Sequence, residues 1–523
     1  MCRRWRSLVF EWRRRLNLQL YCTPKTPARD ALDTWPALPL IVGGYVSSLA
    51  SETDSIIAAL EQTNRVCQVE FLHLVDREME RVLPAMQVPF PELTDLRLGF
   101  YIFSDREVSV IPDSFLGGSA PRLRSFTLDR IPFPGLPKLL SSATHLVDLT
   151  LVNIPHSGYI SPKAMIALLS MLSSLESLKL QFRSPQSRPD WENPSPPPLK
   201  RSILPALTRL HFRGVTEYLE ELVIGIDTPQ LDYLTITFFN QIDFDIPRLA
   251  QFINCTPTLR AFHKAHVQFG DDFAHVELSV WPPTQTLRIE ISCRKPDWQL
   301  SSIEQVCNSS LDPLSVVEDF YIEHRYWLAG QKNDVIENTL WLQFLHPFIA
   351  VKNLYLTKEF APGIVAALQE LVGGRIIEVL PSLQNIFLEE LEPSGAFQEN
   401  IGRFVAARRL SGHPIAISDW VKRSPLVSHR AGRKLRLSRQ ERLQERLQER
   451  YLLFARGRLR DPALGPGDNE DVEDDEDAED DEDAEYGAVV PFAHWHPPAR
   501  PSNPTTPLSY HAGWQQIRPR PSH

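Results

Sequence analysis

Residues 146–151, Leu-Val-Asp-Leu-Thr-Leu, and residues 175–180, Leu-Glu-Ser-Leu-Lys-Leu, share leucine at their first, fourth and sixth positions. The same apolar pattern recurs from residue 66 to residue 388, with consecutive first positions 23 to 34 residues apart. The copies begin at Val66, Leu93, Leu123, Leu146, Leu175, Leu207, Leu231, Leu259, Thr284, Val317, Val351 and Leu383. Such a series indicates a repeat protein, in which each unit packs against the next.

Each copy is expected to form one short strand. Side chains alternate between the two faces of a strand, so the fourth and sixth positions point to a core while the third, fifth and seventh face solvent. Helix-compatible stretches lie between the copies; in one of them Ser161 is a good N-cap and Pro162 suits the first helical position. The others are residues 56–60, 217–224, 247–253, 335–345 and 364–372.

A strand followed by a returning helix, repeated at this spacing, is typical of leucine-rich repeats. The sequence therefore predicts an α/β fold, a leucine-rich-repeat solenoid with a curved parallel sheet, and helices on its convex side. Solvent-facing strand positions would form the concave face. The weak copy at Leu259 and Phe262 places Ala261, His263 and Ala265 on that face.

The concave face is the predicted site for a protein target. Its chemistry changes along the sheet, from small polar residues through a basic patch to aromatic and acidic residues. Arginine and aromatic side chains dominate protein interfaces because they bury a large area and keep polar groups. The partner-binding candidates are Arg209, His211, Arg213, Tyr233, Tyr321, Tyr355 and Phe387. The alternative is that each simply solvates the sheet.

Composition narrows the classes of partner. The net charge of the 523 residues is -10, which argues against general affinity for nucleic acid or an anionic membrane. The six cysteines are scattered without metal-ligand spacing, so buried free thiols in a reducing compartment are expected. The longest apolar stretch, near residues 38–49, is too short to span a bilayer. We expect a cytoplasmic protein, a nuclear protein, or both.

Residues 2–12 have the pattern of an amphipathic helix, with Trp5, Leu8, Val9 and Trp12 at helical spacing and arginines on the other side. Such a helix needs an apolar surface to cover. One interpretation is that it caps the first repeat, since the end of a repeat array leaves its core open. The other is that it binds a partner protein.

The N-terminal sequence Cys-Arg-Arg-Trp-Arg-Ser-Leu at residues 2–8, followed by Arg-Arg-Leu-Asn-Leu-Gln-Leu at 14–20, resembles the last helix of an F-box and the strand after it. Together with Asp-Thr-Trp-Pro-Ala-Leu-Pro at 33–39 and the repeats, residues 2–421 resemble the fungal F-box/leucine-rich-repeat proteins. The resemblance implies the substrate-recognition subunit of an SCF-type ubiquitin ligase. It also implies that Trp5, Leu8 and Val9 contact a Skp-type adaptor.

One part of the F-box pattern is not found. An F-box opens with a Leu-Pro-x-Glu-Ile/Leu helix, and nothing at the start of this chain corresponds to it. The N-terminal half of the F-box is therefore expected to be missing from this sequence. A start codon placed too late and a lost adaptor interaction both account for that, and the residues leave the two open.

Changes in composition predict five segments. Residues 1–45 are the partial F-box and N-terminal cap, 46–392 the repeats, and 393–421 a C-terminal cap. Within the repeats, six prolines between residues 184 and 200 predict a projecting loop. Residues 422–460 carry 13 Lys or Arg and, in part, helical spacing. Residues 461–523 form an acidic and Pro-rich tail that is expected to be disordered.

No catalytic signature is present. The phosphate-binding Gly-x-x-x-x-Gly-Lys-Ser/Thr, the acyl-transfer Gly-x-Ser-x-Gly and the zinc-binding His-Glu-x-x-His patterns do not occur. Asp243 with Asp245, and Asp271 with Asp272, have the spacing of metal-binding pairs, but aspartates in loops more often support turns. No enzyme activity, catalytic residue, metal or cofactor is predicted.

The sequence thus favours a protein-interaction module, with the ubiquitin-ligase role resting on resemblance alone. Two other functions stay open. The chain could be a standalone leucine-rich-repeat scaffold with no ubiquitin-ligase role. It could also be a chromatin-associated binder that uses its charged tail, since a basic block suits nuclear import and an acidic run mimics nucleic acid.

Overall fold

The computed structural model describes residues 20–23, 32–33, 38–44, 50–74, 76–100, 110–185, 201–239, 244–280, 282, 284–293, 296–309, 311–324, 337–389 and 395–420. The predicted adaptor contacts Trp5, Leu8 and Val9 lie outside these ranges. So do most of the proline-rich loop, Asp243 and the charged tail.

Within the described ranges, eighteen strands form one large sheet and a small two-stranded one. They are β1 (Leu20–Cys22), β2 (Leu40–Gly44), β3 (Val66–Leu74), β4 (Asp95–Phe100), β5 (Ser125–Asp129), β6 (Asp148–Ile154), β7 (Ser177–Phe182), β8 (Ser202–Ile203), β9 (Arg209–Gly214), β10 (Ile226–Asp227), β11 (Tyr233–Phe238), β12 (Lys264–Phe269), β13 (Ala274–Ser279), β14 (Thr286–Ile291), β15 (Asp319–His324), β16 (Asn353–Leu356), β17 (Asn385–Glu389) and β18 (Ala416–Trp420).

The strands coincide with the repeated motif. In β7, Leu178, Leu180 and Phe182 are buried while the residues between them are half-exposed, and β9 and β11 have the same alternation. Most neighbouring strands are parallel and aligned residue by residue, as in the pairing of β7 with β9. A mixed α/β fold with a large, mainly parallel sheet is therefore confirmed.

Helices connect the strands and cover the buried face of the sheet. They are α1 (Ala50–Leu60), α2 (Asp76–Val82), α3 (Leu136–Leu140), α4 (Pro162–Leu169), α5 (Thr216–Gly225), α6 (Pro247–Cys255), α7 (Pro296–Asn308), α8 (Asn338–Leu345), α9 (Ala361–Gln369) and α10 (Gly395–Leu410). The N-terminus of α4 is as predicted, because the Ser161 side chain accepts a hydrogen bond from the Ala164 N–H. Sequential helices also contact one another, for example α4 with α5 and α5 with α6.

The order of strands departs from the expected one at β12 to β14. The sheet runs β11-β14-β13-β12-β15, and β13 is antiparallel to both of its neighbours. A meander of three strands therefore replaces a simple repeat, so the expectation of one parallel strand per unit is wrong here. Only four residues, 270–273, join β12 to β13, and so short a loop can connect only antiparallel strands.

The strand predicted from the weak copy at Leu259 lies further along the chain, at β12. Leu259 and Phe262 are buried, but they precede β12 rather than forming it. In β12, Ala265 and Val267 face the core, while Lys264, His266 and Gln268 are half-exposed. The predicted solvent position of Ala265 is therefore wrong, because its side chain is fully buried.

Side chains also link successive units. The carboxylate of Glu220 in α5 accepts hydrogen bonds from the Arg248 and Leu249 N–H groups, at 3.1 and 2.7 Å, and so caps the N-terminus of α6. Helix N-termini carry unpaired N–H donors that favour such an acceptor. The cap of one helix thus comes from the preceding unit.

Cysteine placement agrees in part with the expected buried thiols. Cys22, Cys67, Cys293 and Cys307 are free and buried, whereas Cys255 is exposed. Burial raises the pKa of the Cys22 thiol to about 11, so this thiol is protonated at neutral pH. None of the four buried thiols is paired with another cysteine.

A buried arginine, Arg408, holds helix α10 against the chain segment before β17. Arg408 in α10 has no solvent exposure. Its guanidinium donates hydrogen bonds to the carbonyls of Ile376, Leu380, Pro381 and Leu383, at 3.0 to 3.4 Å. A planar guanidinium has five N–H donors and can reach four carbonyls at once, whereas a lysine ammonium has only three donors. Arg408 therefore joins α10 to the turn before β17.

Replacing Arg408 with methionine should lower the free energy of unfolding by about 3 kcal/mol, because buried carbonyls lose their hydrogen-bond donors. Urea unfolding followed by circular dichroism measures the change. The control is Arg409→Met at the exposed neighbouring position, expected to change stability by less than about 0.5 kcal/mol. Equal effects of the two substitutions would show that the buried hydrogen bonds contribute nothing.

Candidate partner-binding face

One face of the large sheet is open to solvent. We call it the open face; it consists of the half-exposed strand residues that alternate with the core residues. All seven predicted partner-binding residues lie on it: Arg209, His211 and Arg213 on β9, Tyr233 on β11, Tyr321 on β15, Tyr355 on β16 and Phe387 on β17. Their placement is as predicted; their role in binding stays a prediction.

Four rings form a stack across neighbouring strands. The centroid distances are 4.2 Å from His266 to Tyr321, 4.1 Å from Tyr321 to Tyr355 and 4.5 Å from Tyr355 to Phe387. The ring planes differ by only 2° to 8°. These residues are register partners on β12, β15, β16 and β17. We call this stack the aromatic ladder.

Strand pairing explains the ladder. Paired strands lie about 4.8 Å apart, which is close to the separation of two stacked rings. When identical positions of adjacent strands carry planar side chains, the rings are therefore brought face to face. Ring faces are then covered by other rings, and ring edges point toward solvent.

The two tyrosines of the ladder are both neutral at physiological pH. The hydroxyl group of each tyrosine influences the pKa of the other. Burial, the adjacent Tyr355, and the Asp319 and Glu323 carboxylates raise the pKa of Tyr321 far above its usual range. Burial also raises the pKa of Tyr355. Both phenols are therefore neutral hydrogen-bonding groups at physiological pH.

A polar row lies beside the ladder, two residues earlier on each strand. The Asn385 side-chain amide donates to Asn353 Oδ1 at 2.7 Å, and the Asn353 amide donates to Asp319 Oδ1 at 2.8 Å. Each amide is held by its neighbour, so the row keeps one orientation across β15, β16 and β17. The open face is therefore ordered at these strands before any ligand binds.

Two more side chains border the ladder. The Trp420 ring of β18 lies 5.6 Å from the Tyr355 ring and 6.0 Å from the Tyr321 ring, inclined to both. The Lys264 ammonium lies 6.0 Å from the centre of the Tyr321 ring. Aromatic edges and one cation thus meet around the tyrosine pair.

The other half of the open face is basic. Lys179 on β7 is the register partner of His211 on β9, where Arg209 and Arg213 lie on either side. Arg209 is 3.8 Å from the Asp148 carboxylate, and the Arg213 guanidinium is 5.5 Å from the centre of the Phe239 ring. Tyr233 is the register partner of Arg209. This group, Lys179, Arg209, His211 and Arg213, we call the basic patch.

His211 is neutral despite its position. Burial, with the nearby charges of Lys179 and Arg209, lowers the pKa of His211 to about 4. At neutral pH its imidazole therefore offers one donor and one acceptor but no charge. The positive charge of the basic patch comes from the lysine and the two arginines.

Charges are balanced where the two halves meet. Arg288 on β14 lies 2.6 Å from the Glu290 carboxylate and 3.7 Å from that of Glu277 on β13. These two strands of the meander lie between the basic patch and the aromatic ladder. The change of chemistry along the open face coincides with the change of strand direction.

Sequence reasoning did not identify three of these side chains as candidates. The weak copy placed the predicted strand at residues 261–265, so His266 and Lys264 were not among the candidates. The signal that identifies them is the alternation of polar and apolar residues from Lys264 to Phe269. Trp420 lies in the predicted C-terminal cap, but nothing local shows that its ring reaches the tyrosines. Only the assembled sheet brings them together.

Neither a metal cluster nor a membrane-spanning helix is found in the described part of the chain. No group of three or more His, Cys, Asp or Glu there is placed to hold a metal ion. Asp245 and Asp272 are exposed, and Asp271 is half-exposed. No described helix has the length and apolar character needed to cross a bilayer.

Comparisons with known proteins identify no family. No family model and no curated protein matches the chain. Among solved structures, the chain is similar to the leucine-rich-repeat-containing protein LegL7 from Legionella pneumophila, at 12% sequence identity. The match covers 76% of this chain and 98% of that one, with a TM-score of 0.25. We draw nothing from a likeness at this TM-score; the fold rests on the strands and registers described above.

The pKa of His211 leads to a prediction about acid. The unfolded imidazole takes up a proton near pH 6.5 and the folded one only near pH 4, so acid between these values stabilises the unfolded chain. NMR titration should give a midpoint of about 4 for His211. Lys179→Gln should raise it, because a repelling charge is removed, whereas Lys138→Gln on the helix side should not. A midpoint near 6.5 in the unsubstituted protein would contradict the burial of the ring.

Proposed function

We propose that the chain is a non-enzymatic leucine-rich-repeat solenoid that recognises a protein ligand through the open face of its sheet. The observation that carries the proposal is the aromatic ladder. Four stacked rings on a solvent-facing sheet surface, with an ordered polar row beside them, form a rigid surface rich in the residue types of interface hot spots. Rigid aromatic groups lose little conformational entropy when they bind.

The distribution of charge supports a macromolecular ligand over a small one. The basic patch on β7 and β9 is separated from the aromatic ladder, which begins at β12, by three strands, β11, β14 and β13. A ligand that touches both must be extended along several strands, as a protein segment is. The two ends of the open face differ in chemistry, so they would also fix the direction in which such a ligand binds and disfavour the opposite direction.

A finer proposal is that the protein is the substrate-recognition subunit of an SCF-type ubiquitin ligase, acting in the cytoplasm, the nucleus or both. Its support is the N-terminal resemblance, with Trp5, Leu8 and Val9 as the contacts to a Skp-type adaptor. The standalone scaffold and the chromatin-associated binder remain the competing proposals.

Site-specific photocross-linking tests recognition by the open face. A photoreactive phenylalanine analogue is placed at Thr235 or Ser279 on that face, and as controls at Met171 or Val372, exposed positions away from it. In the cells that express the protein, we expect protein adducts from the first pair and none from the second. Adducts from both pairs alike, or from neither, would contradict the proposal.

Co-purification tests the ubiquitin-ligase role. We expect a Skp-type adaptor, co-expressed with the full chain, to be retained by the unsubstituted protein and lost when Trp5 and Leu8 are both changed to alanine. Tyr355 belongs to the aromatic ladder and is remote in sequence from Trp5 and Leu8, so Tyr355→Ala is the matched control and should retain the adaptor. Absence of the adaptor from the unsubstituted protein would remove the ubiquitin-ligase role and leave the scaffold.

A further inference from the structure

Arg213 on β9 is a half-exposed cation without a counter-ion. Its guanidinium lies 5.5 Å from the centre of the Phe239 ring, but it forms neither a hydrogen bond nor an ion pair with any residue that the structure describes. Its Nε is enclosed and also lacks a hydrogen-bond partner there. Enclosed polar groups are usually satisfied, so an unpaired guanidinium at this position calls for an explanation.

The register partners of Arg213 are unpaired as well. They are Gln181 on β7 and Thr237 on β11, and both are half-exposed. Within the described ranges, neither side chain forms a hydrogen bond. A carboxamide and a hydroxyl group each offer a donor to an anion. Three neighbouring strands thus place donors side by side around one unpaired cation.

The carboxylates on the flanking strands are already engaged. Strands β7, β9 and β11 contain no Asp or Glu. On β6, the Asp148 carboxylate lies 3.8 Å from Arg209. On β14, the Glu290 carboxylate lies 2.6 Å from Arg288. Neither carboxylate is paired with Arg213, so a ligand can supply its counter-charge.

The cations of β9 are spread along the strand and do not converge on one point. Arg209 and Arg213 are four residues apart, so about 13 Å separates their Cα atoms, and the neutral His211 lies between them. A single phosphate group is too small to contact both arginines. Separate carboxylates on an extended segment are not, because alternate side chains of an extended chain are about 7 Å apart.

We propose that the basic patch binds an acidic segment of the protein ligand, with one carboxylate held by the Arg213 guanidinium between Gln181 and Thr237. The inference rests on the proposed function and names the chemistry of the ligand at this end of the open face. A guanidinium pairs with a carboxylate through two parallel hydrogen bonds. The neighbouring charges of Lys179 and Arg209 attract further carboxylates of the same segment.

Photocross-linking of the full chain to labelled peptides tests the proposal. A photoreactive phenylalanine analogue at Thr235, on the strand beside Arg213, reports only on peptide bound at this face. This matters because the 13 Lys or Arg of residues 422–460 can also attract an acidic peptide. One probe alternates four glutamates with glycines, and its control alternates four glutamines with glycines. We expect about five-fold more adduct from the glutamate peptide, as one exposed ion pair predicts.

Substitutions assign the effect to the guanidinium. Arg213→Gln should remove the preference for the glutamate peptide, and Arg213→Lys should keep part of it, since the charge remains but the two parallel hydrogen bonds are lost. The matched control is Arg201→Gln, an exposed arginine next to the small two-stranded sheet, and it should change nothing.

Thr237→Glu guards against misfolding of the Arg213 variants. It adds a carboxylate at a half-exposed position opposite Arg213, where it should pair with the guanidinium and block the glutamate peptide. Equal adduct from the two peptides, or a glutamate preference that survives both Arg213→Gln and Thr237→Glu, would overturn the proposal. A labelled oligothymidylate whose adduct depends on Arg213 in the same way would also overturn it, because the site would then take nucleic acid.

The outcome is separable from that of the proposed function. If the two peptides give equal adduct while cross-linking in cells at Thr235 and Ser279 still captures proteins, only the acidic chemistry of the ligand is wrong. If those cellular cross-links are absent as well, recognition by the open face itself is wrong.

Discussion

Residue-by-residue pairing of adjacent strands is the constraint on which the rest of this protein depends. Backbone hydrogen bonds hold each strand close to the next and, for most pairs, in one register, so equivalent positions of successive units align in rows. On the buried face, the rows of Leu, Ile and Phe make a continuous core. No unit could bury its apolar residues alone, and the stability of each depends on its neighbours.

The same constraint produces the chemistry of the open face. Tyr321, Tyr355 and Phe387 are separated by more than thirty residues along the chain, yet the register places their rings in contact. Because the row is continuous, a feature at one strand is extended or ended by the residue at the same position of the next. The ladder ends at β17 because the equivalent position of β18 is Ser418.

In the meander of β12 to β14, the rows of aligned side chains continue even though β13 runs in the opposite direction. Antiparallel β13 still places Glu277 opposite both Arg288 and His266. Side-chain alternation has the same period in parallel and antiparallel strands, so the core and the open face pass through the reversal unbroken. The reversal separates a basic region from an aromatic one, with ion pairs between them.

Periodicity alone determined much of this protein: the strands, their buried residues, several helices and the membership of the open face all follow from a local pattern of apolar positions. It failed at residues 259–265, where buried residues ahead of a strand imitate the motif. Which strands are neighbours was decided only by the tertiary structure, as were the contact of Trp420 with the tyrosines and the shifted pKa of His211. Those properties depend on the distance between residues remote in sequence and on their shared burial, which no local pattern encodes.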